Sequence, residues 1–177
     1  MKSKIISLSA VSAGLVAIAL LIGAFIEFAD LFTLVIASVF VMVPLYYNSF
    51  KGAFLCAISG GVIAFLCSGL NILSLVFPAY FAFFAFYPIV WYKLAQKNVK
   101  KHFTFIIGLI WCVLAMYGCY FYYILVMHGM IDDLPAWLID YVLYVVGLVA
   151  IIFYIVYYRF VVLIKITIDR YLSRIIK

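Results

Sequence analysis

An all-α polytopic membrane protein, a bundle of six transmembrane helices with both termini cytoplasmic, is the fold class this sequence predicts. Three observations predict it. Of the 177 residues, 71% are hydrophobic and 10% charged, whereas soluble domains carry about 25% charged residues. The apolar residues form continuous runs of roughly the 20 residues that a helical crossing needs, without the alternating polarity of barrel strands. The charges punctuate those runs and sort by sign. A mean hydropathy of +1.34 excludes a water-soluble enzyme, a disordered chain and a nucleic-acid reader, despite a net charge of +6 and a pI near 9.1.

The first run, 5–26, has no charge and closes on Glu27 and Asp30. It exceeds the 7–15 residues typical of a secretory apolar core, so it is expected to be retained as a helix. The second, 31–47, ends at Asn48-Ser49-Phe50-Lys51. The next charged residue is Lys93, and forty-one uncharged residues are too many for one helix. Ser68-Gly69-Leu70-Asn71 is the natural turn between a third run, 52–68, and a fourth, 72–92. The fifth and sixth are 103–127 and 137–158. A tail, 159–177, mixes isoleucines with Lys165, Arg170, Arg174 and Lys177 and can form a basic amphipathic helix on the inner leaflet. The whole chain reads as one integral domain in contact with membrane lipid, with no loop long enough to hold a soluble one.

With six crossings, all twelve basic residues fall on one side: the N-terminus, Lys51, the cluster Lys93-Lys97-Lys100-Lys101, Arg159 and the tail. Glu27, Asp30, Asp132, Asp133 and Asp140 fall on the other, leaving Asp169 inside. The positive-inside rule makes the basic side cytoplasmic. Five or seven crossings would split the lysine cluster from the tail.

Small residues at helical spacing mark packing faces, because burial of Leu against Leu gains nothing over lipid tails. The third run has two such rows, Gly52-Cys56-Gly60-Ala64 and Ala53-Ala57-Gly61, and reads as packed on both sides. The fifth offers Gly108, Cys112, Ala115 and Cys119. In the first run, Ser9, Ala13 and Ala17, with Ala10 and Gly14 beside them, face either the bundle or a partner. Pro78 and Pro88 predict kinks in the fourth run. The many Tyr and Phe residues are expected mostly at lipid-facing and interfacial positions.

Catalytic signatures such as His-Glu-x-x-His, Gly-x-Ser-x-Gly and the Walker sequence are absent, and no enzyme, metal or cofactor is expected. The four cysteines have no Cys-x-x-Cys spacing and read as packing residues. His102 sits at the inner start of the fifth run. No carboxylate lies at the centre of a run, which argues against proton-coupled antiport. The polar concentration is on the outer side: Glu27, Asp30, Ser68, Asn71, His128, Asp132, Asp133, Trp137 and Asp140. These are either solvated loop residues or the mouth of a site for a neutral or cationic small molecule. Asp140, in the first turn of the sixth helix, is the most telling.

Six helices in about 180 residues, Lys2-Ser3-Lys4 leading into the Ser9–Ala17 rows, and the inner turn before Gly52-Ala53 and Gly60-Gly61 together resemble the S components of energy-coupling-factor transporters. The Gly-Pro usual in that turn is absent. The resemblance implies a bacterial inner-membrane subunit that captures a vitamin-like micronutrient at the outer face. It also implies docking of the first helix on a membrane coupling subunit driven by two ATPases. The chain is similar as well, in size and number of runs, to the rod-shape determining MreD family, which would imply a scaffold of cell-wall machinery binding no metabolite. A small solitary transporter is a third reading.

Overall fold

The computed structural model describes the backbone of residues 2–97, 99–126 and 136–175, and their side chains except at 2, 4, 27, 136–140 and 168–175. Among the described residues every regular element is helical. The run of Ala, Leu, Ile and Val without proline propagates α1 over Lys2–Phe25. Ile26 turns extended (φ −120°, ψ 93°), a 3₁₀ turn covers Glu27–Ala29, and α2 follows over Asp30–Tyr46. Asp30 lies in the first turn of α2, where a carboxylate complements the helix dipole. Asn48, at φ 55°, reverses the chain, and Ser49 caps α3 (Phe50–Cys67) by accepting the Gly52 N–H at 3.1 Å.

α3 ends at the expected turn, where Gly69 (φ 73°) and Leu70 (φ 58°) both take the left-handed conformation. That longer turn delays the fourth helix to Val76, four residues past its predicted start. The fourth helix is also broken. A single turn, α4 (Val76–Ala79), passes into a π turn over Tyr80–Phe84, and α5 (Tyr87–Gln96) restarts with Pro88 in its first turn. Proline cannot donate to the preceding turn, and the wide turn closes instead with the Ala85 N–H on the Tyr80 carbonyl at 2.8 Å.

α6 covers Lys101–Val126. α7 runs over Ala136–Ile175 as one helix of 40 residues, about 60 Å long at 1.5 Å per residue. No helix end falls at Arg159, where the sixth run was expected to give way to a separate tail.

The chain alternates between two ends of the bundle. At one end Gly23 of α1 meets the Thr33 hydroxyl of α2 so closely that a Cβ could not fit, and the Tyr122 hydroxyl of α6 donates to the Ile72 carbonyl. At the other end Gly52 of α3 lies against Ser9 of α1, Gln96 of α5 donates to Asn48 at 2.9 Å, and Lys165 of α7 covers the rings of Trp91 and Tyr92 at 5.7 Å. Asp30 marks the first end as acidic, and Lys51, Lys97, Lys100 and Lys101 mark the second as basic.

α3 is packed on both sides as its two small rows predict. A Cβ on Gly60 would stand 2.7 Å from Val16 Cγ1 and 2.9 Å from the Ala13 carbonyl of α1, and one on Gly61 2.5 Å from Phe81 of the π turn. Many aromatic side chains, such as Phe28, Phe32, Tyr141 and Tyr144, face outward, but one group of them forms an internal cluster. Tyr80, Phe83, Phe84, Tyr87, Trp91, Tyr154 and Tyr157 are all buried, joining the broken fourth helix to α6 and α7. Phe83 stacks on Tyr87 with centroids 4.7 Å apart, and Phe153 on Tyr157 at 5.8 Å. Three of the phenols are engaged: Tyr80 donates to the Ala57 carbonyl at 3.1 Å, and the Tyr87 and Tyr154 hydroxyls share a bond of 3.0 Å.

The outward surface is apolar, with Phe28, Leu125 and Tyr144 among the most exposed side chains. Ile5–Phe25, Phe50–Cys67, Lys101–Val126 and Tyr141–Thr167 are long and apolar enough to cross a membrane. Apolar exposure on this scale is foreign to a water-soluble monomer and compatible with a multi-pass membrane protein.

Candidate functional site

A cavity of about 410 Å³ opens at the acidic end between α2, α4, α6 and α7, within the size range of small-molecule sites. The helical period builds its walls. Asp30 and Leu34 are one turn apart on α2, Val76 and Ala79 lie on α4, and Met116, Cys119, Tyr120 and Tyr123 form an i, i+3, i+4, i+7 stripe on α6. Val146 closes the α7 side. Leu34 and Val76 are almost wholly buried, so the floor is packed core.

Asp30 is half-buried and is the acidic residue of the lining. Thr33, one turn on, donates its hydroxyl to the Asp30 carbonyl at 2.9 Å and fastens the start of α2 where it meets Gly23. The carboxylate thus stands on a rigid element, beside the Tyr120 and Tyr123 side chains and over an apolar floor. Such a wall suits a compact, largely apolar molecule carrying one cationic or hydrogen-bond-donating group.

Of the residues singled out in the sequence, Asp30 reaches this cavity. Glu27 begins the 3₁₀ turn beside it. Asn71 sits in the α3–α4 connection, where its N–H approaches the Ser68 hydroxyl at 3.4 Å and its carbonyl accepts from Ser74, and it does not line the cavity. His128, Asp132 and Asp133 lie outside the described residues. Trp137 and Asp140 belong to the helical start of α7 by their backbone, Asp140 in its second turn.

The α6 stripe was missed, though its spacing is legible in the sequence. Cys119 packs inside the bundle, as its type suggests, and also lines the cavity. Among the described residues no three His, Cys, Asp or Glu side chains come together as a metal site.

The row proposed for partner docking is divided. Ala13 and Ala17 are buried in the contact of α1 with its neighbours, and Ser9 is half-buried against Gly52. Ala10 and Gly14 are exposed, and a Cβ on Gly14 would meet nothing within 4 Å. The face of α1 open to another protein is therefore the Ala10–Gly14 side, and Ala13 and Ala17 serve the fold.

Comparison with protein-family models, characterised proteins and solved structures gives no match.

Proposed function

We propose that the chain crosses a bacterial inner membrane six times, with both termini cytoplasmic, and is a non-catalytic subunit that captures a small molecule at its outer end. The observation that carries this reading is the apolar cavity walled by Asp30 and the α6 tyrosines. The packing supports six crossings although α2 has 17 residues and the fourth helix is broken. At the acidic end Thr33 of α2 meets Gly23 of α1, at the basic end Pro44 of α2 and Ser9 of α1 both lie by Gly52 of α3, and the fourth helix reaches from the acidic connection to the Gln96–Asn48 contact. Where α1 crosses, these elements cross with it. The clustering of Lys51, Lys97, Lys100 and Lys101 at one end supports its cytoplasmic placement.

The resemblance to S components adds the coupling scheme: capture by this chain, docking through the open Ala10–Gly14 side of α1 on a larger membrane subunit, and energy from two ATPases attached to it. The test is purification in mild detergent, with mass spectrometry of both the released small molecules and the accompanying proteins. We expect a ligand that an Asp30→Asn variant retains about tenfold less well, the order of effect expected from losing a charge-assisted bond. Equal retention by the variant sinks the site. Companion cell-wall proteins in place of ATPases replace the transport reading with a scaffold.

A further inference from the structure

A second cavity, of about 680 Å³, lies at the basic end between α5, the start of α6 and α7. Lys100, just before α6, and Lys101, its first residue, line it, with Arg159 and Lys165 from α7. Thr104, buried, adds a hydroxyl one turn along α6. Lys165 is held in place by the faces of Trp91 and Tyr92, both at 5.7 Å. No carboxylate lines the cavity among the described residues. The positive end of the α6 dipole points the same way as the side-chain charge.

A bias of lysines towards the cytoplasm explains basic residues at this end but not their convergence on a cavity. Lys51, Lys93 and Lys97 share the end and stay outside its lining. The rest of the wall is apolar, with Val99, Val162 and Ile166, and the same stretch of α7 exposes Phe160, Leu163 and Ile166. Charge at the cavity wall with apolar helix surface continuing from its rim matches an amphiphile with an anionic head.

We propose that this cavity binds the phosphate of an anionic membrane phospholipid, with Lys100, Lys101 and Arg159 as the main cationic contacts and Thr104 as a hydrogen-bond donor. Basic pockets between helices at the cytoplasmic boundary are suited to such headgroups. The inference takes the membrane placement proposed above, and it is independent of what the acidic-end cavity holds.

Native mass spectrometry of the purified, delipidated chain in neutral detergent tests it, with phosphatidylglycerol and phosphatidylcholine of identical acyl chains added separately. The expected result is about tenfold tighter retention of phosphatidylglycerol, the order that a few basic contacts supply. A Lys100→Gln/Lys101→Gln/Arg159→Gln variant should lose that preference, while Lys51→Gln/Lys93→Gln/Lys97→Gln, which removes the same charge outside the cavity, should keep it. Equal retention of the two lipids by the unaltered chain overturns the proposal without reliance on any variant folding. So does an equal loss in both triple variants, which would mark a general charge effect. In a third arm, glycerol 3-phosphate separates the sources: if it binds and phosphatidylglycerol shows no preference, a soluble phosphate ester is the ligand and the lipid assignment fails. None of these outcomes touches the Asp30 test, which reads a ligand at the opposite end.

Discussion

Ala13 and Gly14 are neighbours in sequence and opposites in the fold. Ala13 lies where the backbones of α1 and α3 come together, its carbonyl 2.9 Å from where a Gly60 Cβ would be. Gly14 faces outward with nothing near it. Ala13→Leu drives three more carbons into a contact that has no room, and overpacking of this kind costs about 1–3 kcal/mol. We expect it to lower the thermal midpoint in detergent by several degrees, whatever partners are present. Gly14→Leu should leave the midpoint unchanged and, if α1 docks on a coupling subunit, reduce its co-purification. A destabilised Gly14→Leu chain would mean that the outward face of α1 is internal after all. Small-residue rows announce close approach, and this is why the sequence marked α1 as a packing helix. They do not say which side is inside, because both sides of a membrane helix are apolar.

The broken fourth helix shows which elements could be read in advance. Two prolines made an interruption legible, and Pro88 does restart the helix. The burial of Phe83, Phe84 and Tyr87 was not legible from hydropathy, since a lipid-facing and a core-facing ring are equally apolar. A better signal is the phenol itself. Tyr154 is wholly buried within the apolar Tyr141–Thr167 stretch, so its hydroxyl needs a partner inside the bundle and finds Tyr87. The break is stitched in a similar way, by the Trp111 indole N–H donating to the Ala82 carbonyl at 2.8 Å. Trp111→Phe keeps most of the ring and removes that donor. Interhelical bonds in membranes average about 0.6 kcal/mol and reach about 1.7, while an abandoned buried carbonyl costs about 1–3. A carbonyl at a break has no helical partner to return to, so the upper part of the first range applies. We expect a loss near 1–2 kcal/mol, measurable by unfolding in mixed micelles, and Trp111→Leu should cost more through its lost ring contacts.

At the scale of the molecule, the alternation of the chain between its two ends turns packing into topology. Gly23 with Thr33 at the acidic end and Ser9 with Gly52 at the basic end bracket α1, α2 and α3 as a folded-back unit, and the remaining helices meet it at the same two levels. The stretch Tyr141–Arg159 of α7 covers about 27 Å, close to the roughly 30 Å hydrocarbon thickness. The remaining residues to Ile175 add about 24 Å on the basic side. In the proposed placement, a helix this long, unbroken where the charges begin, carries the basic end past the membrane boundary and leaves the Asp30 cavity at the opposite surface. Single cysteines at Leu73 and Lys97, in a chain with Cys56, Cys67, Cys112 and Cys119 replaced by Ala, put this arrangement to a direct test. Leu73 is exposed in the α3–α4 connection and Lys97 follows α5. In intact cells a membrane-impermeant maleimide should modify the Leu73→Cys chain, and the Lys97→Cys chain only after permeabilisation. The reverse pattern would invert the protein and give the Asp30 cavity to the cytoplasm. Modification of both from outside would mean that the broken fourth helix does not cross, and the six-crossing reading would fall with it.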